Sequence, residues 1–412
     1  AQLFKHQYII FLIPPTGLVY YNVKGAALIN QMTLNAQKNR LYASQKRATA
    51  NLLRDQVIVY GDSLELITKQ YNSLLDGKWQ GMMSLIHGGA RSFERARTDS
   101  VTLNSMPTLG VSCEAADNVK GVSNVYTIPC FNKYLPQSYY VDVFNSGVGK
   151  LKWKALPSDS WILVDRKSGV INSEVRINVS IDWNKVPAGE SVSGSIDIVS
   201  GSGEKKTVFV SVFNPESPSI EELKGLYVEN NGYVSIDATG FHRKYEDENI
   251  KFDVVKGLGF DNKVVRLGDP FAKTPYLDGL ILTSNYVAPV RGDKYPVLEY
   301  DFYSFQTGPV DVYTYMMPIF PLDNEHGSRY GVMVDNSPVY LPEAGAPYYS
   351  TLWIQSVLRN CRINKTTHFV NKPGKHTVKI YCAHPGTMLQ KIVVDFGGLK
   401  RSYMGPVTTK IK

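Results

Sequence analysis

Cysteine is scarce, with Cys113, Cys130, Cys361 and Cys382 the whole supply in 412 residues. Four is too few for a disulfide scaffold, and no two stand at CxxC spacing, which excludes a zinc ribbon. Cys361 and Cys382 flank neighbouring strand patterns and are candidates for a bridge, although free buried thiols are the simpler expectation. Long apolar runs are missing too. Nothing approaches the ~18 residues that cross a bilayer, so no membrane partner is expected. GxSxG, HExxH, P-loop and GxGxxG motifs are all absent, and no cysteine has a histidine in a nucleophile setting. No catalytic residue, metal ligand or cofactor site is therefore assigned. Charge of one sign is not concentrated either: 45 Lys and Arg against 37 Asp and Glu give +8, scattered along the chain. Nucleic-acid binders gather their basic residues on a face or an arm, so no nucleic acid is expected as a partner. A mildly basic surface suits an acidic polysaccharide or simply keeps the protein dissolved.

What is present points to a folded multidomain protein. The chain is 43% hydrophobic and 20% charged, long enough for two or three domains of roughly 100–200 residues each. Residues 5–15 (KHQYIIFLIPP) have a basic start and a short apolar run, without the length or cleavage site of a signal peptide. They read as a chain end with sequence missing before it.

Three hydrophobic periods follow one another. Ala50, Leu53, Val57, Tyr60, Leu64, Ile67, Tyr71 and Leu74 keep an alternating three-four spacing, which predicts one helix with a narrow apolar seam, stopped by Asp76-Gly77. Residues 24–45 supply a second helix to pair with it. Beyond residue 97 the period becomes two, most clearly in Val175, Ile177, Val179, Ile181 and Trp183, and again in Val208, Val210 and Val212. Short strands with turns at Gly201-Ser202-Gly203 and Pro187-Ala188-Gly189 argue for a small sandwich, closed by the linker 214–219. Alternation resumes in Leu298, Tyr300 and Phe302, in Val378, Ile380 and Cys382, and in Ile392, Val394 and Phe396. The expected fold is thus mainly β: an α-helical bundle (1–95), an immunoglobulin-like β-sandwich (96–216) and a larger C-terminal β-sandwich or jelly roll (217–412).

Paired carboxylates suit glycoside hydrolysis, and Glu299 with Asp301 or Asp323 with Glu325 are available, but nothing in the pattern marks either pair as catalytic. His368, His376 and His384 recur around the turn Lys372-Pro373-Gly374, where a hairpin would bring two together. Three or four converging ligands are needed for zinc, so structural histidines are the expectation. Tyrosine is abundant, with 26 in the chain. A ring with a polar tip stacks on a sugar face while hydrogen-bonding a hydroxyl. Tyr300, Tyr313 and Tyr315 lie in strand patterns and belong in a core. Tyr348 and Tyr349 lie in residues 341–350 (LPEAGAPYYS), which read as a long exposed loop, and are the candidate substrate-binding residues.

Several stretches resemble glycoside hydrolase family 115. Residues 374–406, including HPGTMLQKIVVDFGGLK, look like that family's closing signature. VKGAALINQMTLNAQKNRLYASQKRATAN (23–51) and YNSLLDGKWQGMM (71–83) resemble its helical domain, and NGYVSIDA (231–238) the start of its last domain. The middle segment, with Val143-Phe144-Asn145 and Ser160-Trp161-Ile162, is similar to small carbohydrate-associated modules. The resemblance implies removal of α-1,2-linked glucuronic acid from xylan by a (β/α)8 barrel that has no counterpart here. The chain is then expected to be a non-catalytic portion of an α-glucuronidase, inert alone, lending a loop to the barrel's pocket. The alternative is an autonomous carbohydrate-binding protein for acidic xylan. A glucuronoxylan-like polysaccharide, a homodimeric state and a periplasmic or secreted location complete the expectations.

Overall fold

The computed structural model describes residues 19–83, 96–114, 126–273, 295–320 and 328–412. The chain forms two compact units, one of residues 1–129, 138–187 and 192–211, the other of 130–137, 188–191 and 212–412. It is mainly β, with a helical region first and several sheets after it.

In the first unit α1 (Tyr21–Ser44) and α2 (Thr49–Asn72) run antiparallel. Their pairing is fixed by contacts of converging sequence number: Tyr21 hydroxyl to Thr68 at 3.3 Å, Asn35 to Gln56 at 3.0 Å, and Asn39 to the Ala50 carbonyl at 2.7 Å. The seam of α2 is buried at Ala50, Leu53, Val57, Leu64, Ile67 and Tyr71, with Tyr60 half-buried. Leu74 falls outside it. The helix ends at Asn72, and Leu75 and Asp76 then turn left-handed, each with φ 54°.

The Arg47 guanidinium ties the helix turn to the strands of the same unit. Only 2% exposed, it donates to Asp142 at 3.1 Å and Glu174 at 3.2 Å and lies over the rings of Tyr42 and Phe144. The Ala48 N–H donates to the Asn145 carbonyl nearby.

Strands follow as β1 (Leu109–Cys113), β2 (Tyr126–Thr127), β3 (Phe131–Asn132), β4 (Tyr139–Asn145), β5 (Leu151–Pro157), β6 (Ile162–Val164), β7 (Ser168–Ile171), β8 (Glu174–Ile181), β9 (Ser191–Ser200) and β10 (Lys205–Phe213). One sheet has the order β1-β4-β8-β6, the other β2-β10-β9-β5-β7 with β3 beside β10. The expected alternation is met by Ile177, Val179, Val208, Val210 and Val212, all fully buried. It stops short of Trp183, which opens a 3-10 turn (Trp183–Lys185) after β8 has ended at Ile181.

The second unit contains β11 (Tyr227–Val228), β12 (Tyr233–Asp237), β13 (Arg243–Tyr245), β14 (Phe252–Lys256), β15 (Lys263–Leu267), β16 (Val297–Ser304), β17 (Gly308–Met316), β18 (Tyr330–Val334), the helix α3 (Thr351–Arg359), β19 (Arg362–Val370), β20 (Gly374–Cys382) and β21 (Thr387–Asp395). Two sheets, β11-β16-β20-β18 with β13 and β14-β15-β21-β17-β19 with β12, enclose one core. Leu298, Tyr300 and Phe302 from the first meet Val312, Ile392 and Val394 from the second. This is a β-sandwich, and several of its inner polar groups are paired. The Tyr330 hydroxyl, for example, is bonded to Thr314 and Asn364 of the opposite sheet. Among the described residues no helix is long and apolar enough to cross a membrane.

Candidate functional site

Tyr348 and Tyr349 stand at the tip of the segment that joins β18 to α3, and both are largely exposed, 64% and 68%. The segment is not the uniformly open loop its composition suggests. Its first half is pinned: the Ala344 N–H donates to the Ser328 carbonyl, the Gly345 N–H to the Ser328 hydroxyl at 2.6 Å, and Asn364 to the Glu343 carbonyl at 2.8 Å. Ala344 and Gly345 are buried in consequence. A Cβ on Gly345 would meet the Ser328 hydroxyl at 2.8 Å, so only glycine allows this approach. Pro347, Tyr348 and Tyr349 project beyond the pinned half.

Helix α3 supplies the rest of the site, and the sequence reading missed it. Ser350 caps it by accepting from the Trp353 N–H, and Asn360 closes it in the left-handed conformation. The signal was present as a serine three residues before Trp353, ahead of the apolar run Leu352, Trp353, Ile354. Tyr348, Tyr349 and Trp353 form a cluster with ring centroids 4.3, 5.1 and 5.4 Å apart, and Phe320 adds a fourth ring 6.3 Å from Tyr348. A hydrogen bond with Tyr349, helped by slight desolvation, holds the Tyr348 hydroxyl above its ordinary pKa, so it is a neutral donor at physiological pH. Tyr349 has φ 56°. A bulky residue held left-handed costs about 1–3 kcal/mol, and such strain concentrates at binding sites.

Behind the rings lies a small apolar cavity of about 120 Å³ between Ile319, Phe320, Gly345, Trp353 and Val357. The exposed side of α3 is apolar as well, with Leu352, Ile354, Val357 and Leu358 between 39% and 76% exposed. Rings, cavity and helix together make a surface that stacks and excludes water, and among the described residues its lining holds no carboxylate or histidine.

The other candidates are spoken for. Glu299 and Asp301 sit side by side on β16 and share Arg243, at 2.6 Å each, while Lys375 reaches Asp301 at 3.0 Å. Burial raises the Asp301 carboxyl, yet Arg243, Lys375 and Thr377 outweigh it and hold the group far below the usual carboxylate range. It is a fixed anion in an ion-pair lattice, unsuited to proton transfer. Asp323 and Glu325 lie outside the described residues.

The three histidines do not converge. The chain at Lys372-Pro373-Gly374 crosses from one sheet to the other instead of forming a hairpin, since β19 pairs with β17 and β20 with β16 and β18. His368 lies between the hydroxyls of Ser337 and Thr366, His376 between Asp335 and the Lys372 carbonyl, and His384 accepts from the Arg329 N–H. Among the described residues no His, Cys, Asp and Glu are grouped to hold a metal. Cys361 and Cys382 are unbridged, with Cys361 packed against Tyr315 and Val393 and Cys382 in the main core. Burial pushes the Cys361 thiol up to about 12 and Cys382 higher still.

The sequence model of the glycosyl hydrolase family 115 C-terminal domain matches residues 226–408. That interval takes in the second sandwich from β11 through β21, together with α3 and the tyrosine tip. Over that interval the chain is similar to this family's C-terminal domain. No curated protein sequence matches the chain. Among solved structures, a family GH115 4-O-methyl-α-glucuronidase with specificity for decorated arabinogalactans aligns over 91% of this chain at 15% identity, with a TM-score of 0.42. The alignment covers 28% of that enzyme's chain. A C-terminal CBM6 module of a laminarinase from Zobellia galactanivorans aligns over 40% of this chain and 98% of its own, at 10% identity and TM-score 0.23. A family 35 carbohydrate binding module from Clostridium thermocellum aligns over 39% and 96%, at 9% identity and TM-score 0.24.

Proposed function

We propose that this chain is a non-catalytic C-terminal portion of a xylan α-1,2-glucuronidase-like glycoside hydrolase, in which it supports assembly and lends its tyrosine tip to the glucuronic acid pocket of a barrel domain. The observation that carries the reading is an exposed, strained aromatic tip on a domain similar to the family 115 C-terminal domain, in which the carboxylate pair Glu299 and Asp301 is held by Arg243. Rings of this kind stack on sugar faces, and neutral hydroxyls donate to a uronate. The apolar face of α3 beside the tip is a surface for another folded body to cover. A periplasmic or secreted location follows from an extracellular polysaccharide as the substrate.

The test joins this chain to a barrel-bearing partner and compares rates on glucuronoxylan. Tyr348→Phe or Tyr349→Phe is expected to lower kcat/KM several-fold to roughly 100-fold, the range of a lost hydroxyl contact. The chain alone is expected to release no glucuronic acid. Unchanged rates in both variants would remove the tip from the pocket, and release by the chain alone would overturn its non-catalytic assignment. The +8 charge and the exposed ring pair favour a second reading, an autonomous binding protein for acidic xylan. Affinity electrophoresis on glucuronoxylan against neutral arabinoxylan separates the two, because only the second reading expects retardation of the isolated chain.

A further inference from the structure

The turn that follows β18, residues 335–338, is gripped by two buried histidines, one from each sheet of the second unit. His376 on β20 is 5% exposed, and both its ring nitrogens face acceptors: Nδ1 meets the Asp335 carboxylate at 2.7 Å and Nε2 the Lys372 carbonyl at 2.9 Å. A neutral imidazole donates from one nitrogen only, so satisfying both acceptors requires the imidazolium. His368 on β19, also 5% exposed, has Nδ1 at 2.9 Å from the Ser337 hydroxyl and Nε2 at 2.9 Å from the Thr366 hydroxyl. Hydroxyls both donate and accept, so a neutral ring completes this pair of bonds without a buried charge.

We propose that these two histidines form a pH-dependent latch that ties both sheets to the 335–338 turn, with His376 holding its side only while it carries its proton. The turn is the root of the segment that ends in Tyr348 and Tyr349. Past it, Tyr340 pairs with Val332 and its ring meets His368 edge-on at 5.0 Å. An open latch removes the His376 side-chain hold on the turn, while the backbone bonds of Asp335 to Thr377 and of Tyr340 to Val332 remain and the Glu343 and Gly345 bonds hold the middle of the segment. The latch therefore stands on the geometry of the turn and needs no saccharide.

The surrounding charges agree. Lys372 on the crossover disfavours the imidazolium, Asp335 favours it, and Lys379 on β20 acts on Asp335 while also facing Glu299. Lys375 is engaged by Asp301, and Phe302 on β16 covers the His376 ring. Burial works against the charged form, but the Asp335 bond and charge outweigh it and leave His376 above its ordinary pKa. Burial alone lowers His368 to about 4.

The signs then oppose each other. A raised histidine stabilises fully below the unfolded value of about 6.5 and loses that stabilisation as pH rises through its folded value. A lowered one costs stability as pH falls from about 6.5 to its folded value, since only the unfolded state takes up the proton.

The experiment is ring titration of both histidines by NMR in the intact chain, with thermal melts from about pH 3.5 to 8.5. His376 is expected to titrate above the ordinary range and His368 far below it. In His376→Gln and Asp335→Asn the alkaline-side fall in Tm, roughly 2–4 °C, is expected to vanish, and the acid-side fall to remain. A His376 that titrates at or below its ordinary value in the parent overturns the latch even if a variant fails to fold. An alkaline-side fall that persists unchanged in both variants overturns it too.

Discussion

At the residue scale the molecule is held by ions whose partners are distant in sequence. Arg47 meets acids 95 and 127 residues away. In the link between α1 and α2 it directly follows Lys46, and no local pattern distinguishes the two. Its importance comes from burial: Asp142 is 5% exposed and is shared with Arg176, which itself stacks on Tyr140 at 3.6 Å. Removing one member of a buried pair leaves charge without a partner, at about 3–5 kcal/mol. Arg47→Ala is expected at the lower end of that range, since Arg176 still faces Asp142. Arg47→Lys should recover only part of the loss, because an ammonium cannot serve two carboxylates while lying flat between two rings. Urea denaturation followed by helical circular dichroism measures both, and an Arg47→Ala midpoint equal to the parent's would show that the guanidinium is dispensable.

At the scale of elements, periodicity was readable in the α2 seam and β10, where one face is buried and the other wetter, and also in β16 and β21, which are buried on both faces. The α2 seam and the strands around Val208, Leu298, Val378 and Ile392 all point their apolar residues inward as their spacing requires. Burying Leu64, 2% exposed, contributes about 1.5–3 kcal/mol, and a carboxylate there adds desolvation. Leu64→Asp is therefore expected to unfold the helix pair and leave the second unit's melting transition in place. Equal melting of the variant and the parent would mean that the seam is not packed. Where a segment's contacts cross between elements, the pattern ran out. Helix α3 is amphipathic, yet it turns Ser356 inward and leaves Leu352, Ile354, Val357 and Leu358 exposed, so its apolar residues do not mark a face packed on its own core. The exposure of the two tyrosines was legible from Pro, Gly and Ala around them; the packing of Phe320 against Tyr348 was not, because no spacing links two positions so far apart in sequence.

At the scale of the whole molecule, the chain does not divide where its composition changes. The linker at 214–219 separates strand patterns, yet residues 130–137 belong with the second unit although they precede it by some eighty positions. Tyr134 and Leu135, 5% and 7% exposed, pack with Leu223, Val228 and Ile411 in a satellite core, where Tyr134 also stacks on Phe305. Backbone and amide bonds reinforce them: Asn132 donates to the Glu229 carbonyl at 3.0 Å, the Tyr134 hydroxyl to the Pro218 carbonyl at 2.6 Å, and the Cys130 N–H to Asn231 at 3.0 Å. A fragment of residues 217–412 would keep both sheets of the sandwich and lose this plug. Two large side chains at about 1.5–3 kcal/mol each give roughly 3–6 kcal/mol of lost burial, reduced by the entropy of the eight residues no longer ordered. The fragment is therefore expected to melt below the corresponding transition of the intact chain and to bind a hydrophobic dye at the uncovered Leu223, Val228 and Phe305. A synthetic peptide of residues 128–138 added in trans should raise its Tm in a concentration-dependent way, as any ligand of the folded state does. If the fragment melts with the parent and ignores the peptide, the satellite core contributes nothing, and the second unit is complete from residue 217 onward.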